Sequence, residues 1–133
     1  MQRYMMDTDT CSYIIKERPE SVRRSFQSLS MDSLCISIVT YAELMYGVER
    51  SSSKRINRAV IDRFISHLDV LKWDTKAADK YAFIRTTLDA KGTPIGAMDM
   101  MIASHATSID AVLVTNNQKH FSQVQGLTIE NWT

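Results

Sequence analysis

Apolar residues fall along this chain in two kinds of pattern. The first is a set of short, near-continuous runs: Tyr4-Met5-Met6, stopped by Asp7; Leu34-Cys35-Ile36-Ser37-Ile38-Val39; a weak pair at Val70-Leu71; Ala111-Val112-Leu113-Val114-Thr115, bounded by Asp110 and Asn116-Asn117; and Leu127-Thr128-Ile129. Runs of this length, without strict alternation, predict strands covered on both faces, as in a parallel sheet. The second pattern is helical. Pro19-Glu20-Ser21-Val22 starts a helix with Pro in its first turn. Thr40 reads as an N-cap with Glu43 at the capping-box position, and Leu44 and Val48 share a face beyond it. Ile56, Val60, Ile61, Phe64, Ile65 and Leu68 keep helical spacing. Thr75 reads as a further N-cap, for a helix that buries Ala78, Tyr81, Ala82, Ile84 and Leu88 and stops at Gly92. Asp99 opens a helix carrying Met101, Ile102 and Ala106. Strands alternating with helices predict an α/β fold with a mainly parallel central sheet.

Composition narrows the class. A chain of 133 residues holds one domain, 1–133, and its 44% apolar and 23% charged residues suit a globular protein. The net charge of +1 means that any polyanion site is a local patch. No apolar run reaches the roughly 18 to 20 residues of a membrane helix, and Met1-Gln2-Arg3-Tyr4-Met5-Met6 meets Asp7 too early for a signal peptide. Cys11 and Cys35 have no zinc spacing and read as reduced, buried thiols of a cytoplasmic protein.

Ligands of a parallel sheet bind at the carboxyl ends of its strands, so the polar residues expected there matter most. Asp7 ends the first strand, Glu43 follows the second, Asp99 follows the loop Gly92-Thr93-Pro94-Ile95-Gly96, and Thr115, Asn116 and Asn117 close the strongest strand. Thr8 and Asp9 add two more oxygen donors. Each acid has an ordinary structural role open to it. Asp7 fits a turn or cap, Asp9 or Thr10 the N-cap of the next helix, Glu43 a capping box, and Asp99 the acid that a helix N-terminus favours. Their joint placement is what points to chemistry. Carboxylates brought together repel, and a hard cation such as Mg²⁺ or Mn²⁺ relieves that repulsion while binding substrate phosphate and activating water. The pattern therefore points to a nuclease.

With these residues in place, the sequence resembles a PIN-domain protein of the VapC toxin type. The matching segments are Met5-Met6-Asp7-Thr8-Asp9, Ser37 to Gly47 around Glu43, Gly92 to Ala103 around Asp99, and Val112-Leu113-Val114-Thr115-Asn116-Asn117 ahead of Phe121. They follow in family order over essentially the whole chain. It most resembles the enteric-type VapC toxins, ribonucleases acting on initiator tRNA. The resemblance implies a PIN-like α/β/α sandwich and a Mg²⁺-dependent endoribonuclease for which Mn²⁺ substitutes. Asp7, Glu43 and Asp99 match the family's metal-binding acids, and Thr115 a hydroxyl lining the site. A fourth acid usually follows that Thr within two residues. Here the position is Asn117, a neutral residue that weakens the pull on a second metal. The resemblance also implies a homodimer, a VapB-type antitoxin that restrains the toxin, and operator DNA bound only through the antitoxin.

The basic residues form two groups, Lys16, Arg18, Arg23 and Arg24, and Arg50, Lys54, Arg55 and Arg58. Either group suits phosphate contacts, and either suits a solvated face. His67, His105 and His120 lack metal-ligand spacing and read as structural or surface residues. Two alternatives remain open. Asn117 favours a non-catalytic RNA- or partner-binding module. Asp7-Thr8-Asp9-Thr10 has the D-x-D-x-T form of an aspartate-nucleophile phosphatase, although few residues follow Thr115 for such a fold.

Overall fold

A computed structural model describes residues 1–133. Its central strand is β1 (Tyr4–Met6), paired in parallel with β2 (Leu34–Ser37) on one side and β4 (Val112–Val114) on the other. Outside them lie β3 (Asp69–Leu71) and β5 (Ile129–Glu130), also parallel, which gives the order β3-β2-β1-β4-β5. All the expected strands form: β1 with the expected bounds, β3 one residue longer at Asp69, and β4 one residue shorter at each end. β2 stops at Ser37, where Ile38 and Val39 already belong to a helix, and β5 starts at Ile129 rather than Leu127.

Seven helices connect the strands: α1 (Thr8–Lys16), α2 (Glu20–Ser28), α3 (Ile38–Arg50), α4 (Lys54–Ile65), α5 (Thr75–Lys91), α6 (Ala97–Ser108) and the short α7 (Gln118–Phe121). Strand alternation sends side chains to opposite faces and so builds two cores. Met5, Cys35 and Leu113 point into one, packed with Ile84 and Leu88 of α5 and Ile102, Ala103 and Ala106 of α6. Met6, Leu34, Ile36 and Val114 point into the other, packed with Cys11 of α1, Val22 of α2, Leu44 and Val48 of α3 and Ile61 of α4. The expected α/β/α sandwich is the result. Both cysteines are buried and free, and no helix is long and apolar enough to cross a membrane.

The helix starts differ from the sequence expectation in a consistent way. Asp7 itself caps α1, its Oδ1 accepting from Thr10 N at 2.9 Å, so neither Asp9 nor Thr10 is the cap. Ser37 caps α3, its Oγ accepting from Val39 N at 3.0 Å, so Thr40 lies inside the helix. Thr40 is fully buried there, and its hydroxyl has no hydrogen-bond partner. Glu43 consequently sits in the second turn of α3, outside any capping box. Asp74 rather than Thr75 caps α5, and α6 begins at Ala97, two residues before Asp99. At the other end of α5, Gly92 takes φ +70° as the left-handed cap, where a side chain would be strained.

Candidate metal centre

The strand order reverses direction between β1 and β4, since β2 and β3 follow β1 to one side while β4 and β5 extend the other. Such a switch point opens a crevice at the carboxyl ends of the two strands. Asp7 follows β1 at that crevice and Thr115 follows β4. Asp7 N to Val114 O at 3.0 Å holds the two ends together.

A cavity of about 130 Å³ lies there, lined by Asp7, Thr8, Asp9, Glu43, Asp99, Asn117 and Phe121. The fold thus brings together Asp7, Glu43, Asp99 and Asn117 from four separate segments. Thr115 lies beneath this lining, fully buried, and its Oγ1 accepts from Asn117 N at 2.9 Å. The hydroxyl therefore shapes the turn that presents Asn117 and acts on the Asp7 carboxyl from below. Asn117 is otherwise engaged with α7, its Nδ2 lying 3.0 Å from His120 Nδ1.

Each acid is held differently. Asp7 is the most buried, at 6% exposure, and that burial raises its pKa above the ordinary carboxylate value. Hydrogen bonding from Thr115 and Thr10 pulls it down, and the Asp9 charge adds to the rise. Asp99 is half-buried and its pKa is raised as well, first by burial, then by the charges of Glu43 and Asp7. His120 lowers it and Asp9 raises it further. Glu43 accepts a short hydrogen bond from the Thr8 hydroxyl, which ties α3 to the first turn of α1. The carboxylates thus act on one another through space, and neutralising that mutual repulsion is what a cation does.

The donor set consists of oxygens, with no thiol or imidazole lining the cavity, and suits a hard divalent ion. No three of the acids converge tightly enough to grip a bare ion. An ion that keeps several of its own waters and takes one or two carboxylates directly matches that spacing, so the residues present fit Mg²⁺-like chemistry.

One site residue escaped the sequence argument. His120 looked like a surface residue, yet it touches Asn117 and acts on Asp99; the signal was its spacing of three from Asn117 at the start of a helix. Of the two roles open to Asp9, helix cap or added oxygen donor, the structure places it in the second, lining the cavity, since Asp7 already fills the cap. Of the methionines next to these acids in sequence, Met5, Met6 and Met100 are buried in the cores and Met98 is exposed.

The sequence matches the PIN domain family over residues 4–127. It is 46% identical over 132 residues to the tRNA(fMet)-specific endonuclease VapC of Salmonella typhimurium, covering 99% of each chain. It is 44% identical over 133 residues to the protein of the same description from Shigella flexneri, covering 100% of each. Among solved structures, the DNA-bound VapBC complex of Salmonella typhimurium superposes with a TM-score of 0.94 at 45% identity, with both chains fully covered. The VapBC2 complex of Rickettsia felis, bound to a promoter DNA fragment, also superposes at 0.94, with 38% identity and 99% of this chain and 100% of that one covered.

Proposed function

The chain belongs to the PIN-domain family, and from that membership we propose that it is a Mg²⁺-dependent endoribonuclease toxin of the VapC type. In this proposal residues 1–133 form one PIN-like domain that works in the cytoplasm. Its substrate is initiator tRNA, cut in the anticodon region so that translation is inhibited. A VapB-type antitoxin restrains it, the toxin forms a homodimer within the complex, and operator DNA is bound through the antitoxin. The observation that carries the reading is the shared cavity of Asp7, Glu43 and Asp99 at the β1/β4 switch point. The full-length relatives in two enteric bacteria support the choice of RNA. The PIN-domain match leaves the aspartate-nucleophile phosphatase without support.

Asp7, Glu43 and Asp99 would hold the ion. When bound, it supplies Lewis-acid activation of water and phosphate and offsets the charge of the scissile phosphodiester. The protein's own residues prepare the place. The α1 N-terminus fixes one oxygen of Asp7 through Thr10 N and leaves its other oxygen uncommitted to the cap. Thr8 fixes one oxygen of Glu43. Thr115 holds the Asn117 backbone, and His120 engages the Asn117 side chain, so that amide is oriented before substrate arrives. Hydrolysis then gives 5′-phosphate and 3′-hydroxyl ends.

Antitoxin-free protein incubated with end-labelled initiator tRNA, an elongator tRNA control, and either Mg²⁺ or EDTA tests this reading. The expected result is one Mg²⁺-dependent cut in the initiator anticodon region, absent from Asp7→Asn. RNA binding without any cut in Mg²⁺ or Mn²⁺ would instead support the non-catalytic module.

A further inference from the structure

Beyond the acid cavity the surface continues into a groove that nothing described so far uses. The acid cavity and a neighbouring one of about 460 Å³ share Thr8, Asp9 and Glu43. That second cavity also meets Lys16, Arg50 and Asn57, and shares Val60 with a third. The third, of about 840 Å³, is the largest on the molecule; Lys54, Arg55 and Arg63 line it over an apolar floor of Ile56, Ala59 and Val60. The three cavities thus adjoin one another, from the carboxylates to a basic trough on α4.

The charges along it are free to act on a ligand. The chain's ion pairs are Arg3–Asp69, Arg23–Glu20 and Arg58–Asp62, so Arg58 is engaged while Lys54, Arg55 and Arg63 have no carboxylate partner. No acid lines the trough. Unpaired cations facing one cavity on a protein of net charge +1 make a local polyanion site. The floor is apolar as well, with Ile56 67% and Val60 43% exposed, which accommodates an unstacked base beside the phosphates.

We propose that this trough on α4 is a binding subsite for a single-stranded segment of the RNA substrate. Lys54, Arg55 and Arg63 contact phosphates that flank the one placed at the carboxylates. The inference rests on the nuclease reading for the identity of the polyanion. Continuity with the acid cavity favours the substrate strand over an acidic protein segment, because a strand whose phosphate enters the carboxylate pocket must lie across the adjoining surface. Acids at one end and cations at the other also give the strand a register. The acids repel every phosphate except one neutralised by a cation, and the trough attracts those beyond it.

The test separates binding from cleavage. The Asp7→Asn protein, in Mg²⁺, is titrated with a labelled anticodon stem-loop of initiator tRNA at several salt concentrations, with and without Lys54→Gln, Arg55→Gln and Arg63→Gln together. All three positions are exposed, and circular dichroism checks the fold. Losing three phosphate contacts should flatten the slope of log K against log salt by about 2, at ~0.7 per contact for a single strand, and weaken binding at low salt at least about tenfold. With Asp7 intact, the same substitutions should raise KM and leave kcat within about twofold, as expected for lost uniform binding. An unchanged slope and Kd overturn the subsite. Unchanged RNA binding together with weakened antitoxin binding also overturns it, and assigns the trough to the antitoxin. Wild-type protein that binds the RNA but never cuts it would sink the nuclease reading, while the slope still decides the subsite.

Discussion

Ser37→Ala tests how the two acid-bearing helices are locked together. Ser37 ends β2 and caps α3, the helix of Glu43; its Oγ accepts from Val39 N at 3.0 Å. The same Oγ lies 2.8 Å from Nδ1 of His105 on α6, the helix of Asp99. Ser37 is fully buried and His105 is 2% exposed. The Ser37 hydroxyl therefore serves the backbone and the ring at once, accepting from Val39 N and sharing one hydrogen with His105 Nδ1. Burial keeps the ring neutral by lowering its pKa. Alanine removes the cap, worth about 1 kcal/mol, and strands a buried ring nitrogen, at about 1–3 kcal/mol. The expected loss is roughly 2–4 kcal/mol. Unfolding entropy of about 2.1 cal/mol/K per residue over this length makes that a fall in Tm of roughly 7–14 °C. Urea denaturation of metal-free protein at neutral pH would measure it. A double-mutant cycle with His105→Leu isolates the pair, and a coupling of about 1–3 kcal/mol is expected. A loss below about 0.5 kcal/mol with no coupling would refute the lock.

Three further outcomes follow from the site. Asp7→Asn should keep the α1 cap, since Asn caps as well as Asp, and should leave stability unimpaired while cleavage falls by at least ~100-fold, more than loss of an outer-shell partner costs. A thermal melt beside the tRNA assay checks both. His105 should make stability fall with acid: its folded pKa lies below the unfolded value, so the unfolded chain binds the extra proton, and stability is full above about 6.5 and drops as pH falls toward the folded pKa. Urea titrations between pH 5 and 7, compared with His105→Leu, should show the difference in slope. Asp9→Asn should weaken Mn²⁺ binding about two- to tenfold, because a partly solvated charge near the ion is worth roughly 1 kcal/mol. Calorimetry reads this directly, and an unchanged affinity would remove Asp9 from the site.

The acids were legible because each ends or follows an apolar run that had to become a buried strand, and a parallel sheet gathers the carboxyl ends of its strands. Asp7 and Thr115 needed nothing more, since β1 and β4 pair directly and hold both at one crevice. The caps were less legible, and for a shared reason. At each of three helix starts the residue first chosen lay downstream of the true cap, which was Asp7, Ser37 or Asp74. Local preference saw Ile38 and Val39 as strand residues, whereas the packing of α3 into both cores starts the helix at Ile38. Single-sequence reasoning gives each polar residue one task, yet here the tasks coincide. Asp7 is both the cap of α1 and the most buried of the candidate metal-binding acids; Ser37 is both the cap of α3 and the partner of His105. With Asp7 taking the cap, Asp9 has no structural duty left and its carboxylate lines the cavity. The neutral Asn117 then does not make the centre poor in charge, because the first turn of α1 contributes a fourth carboxylate to the same lining.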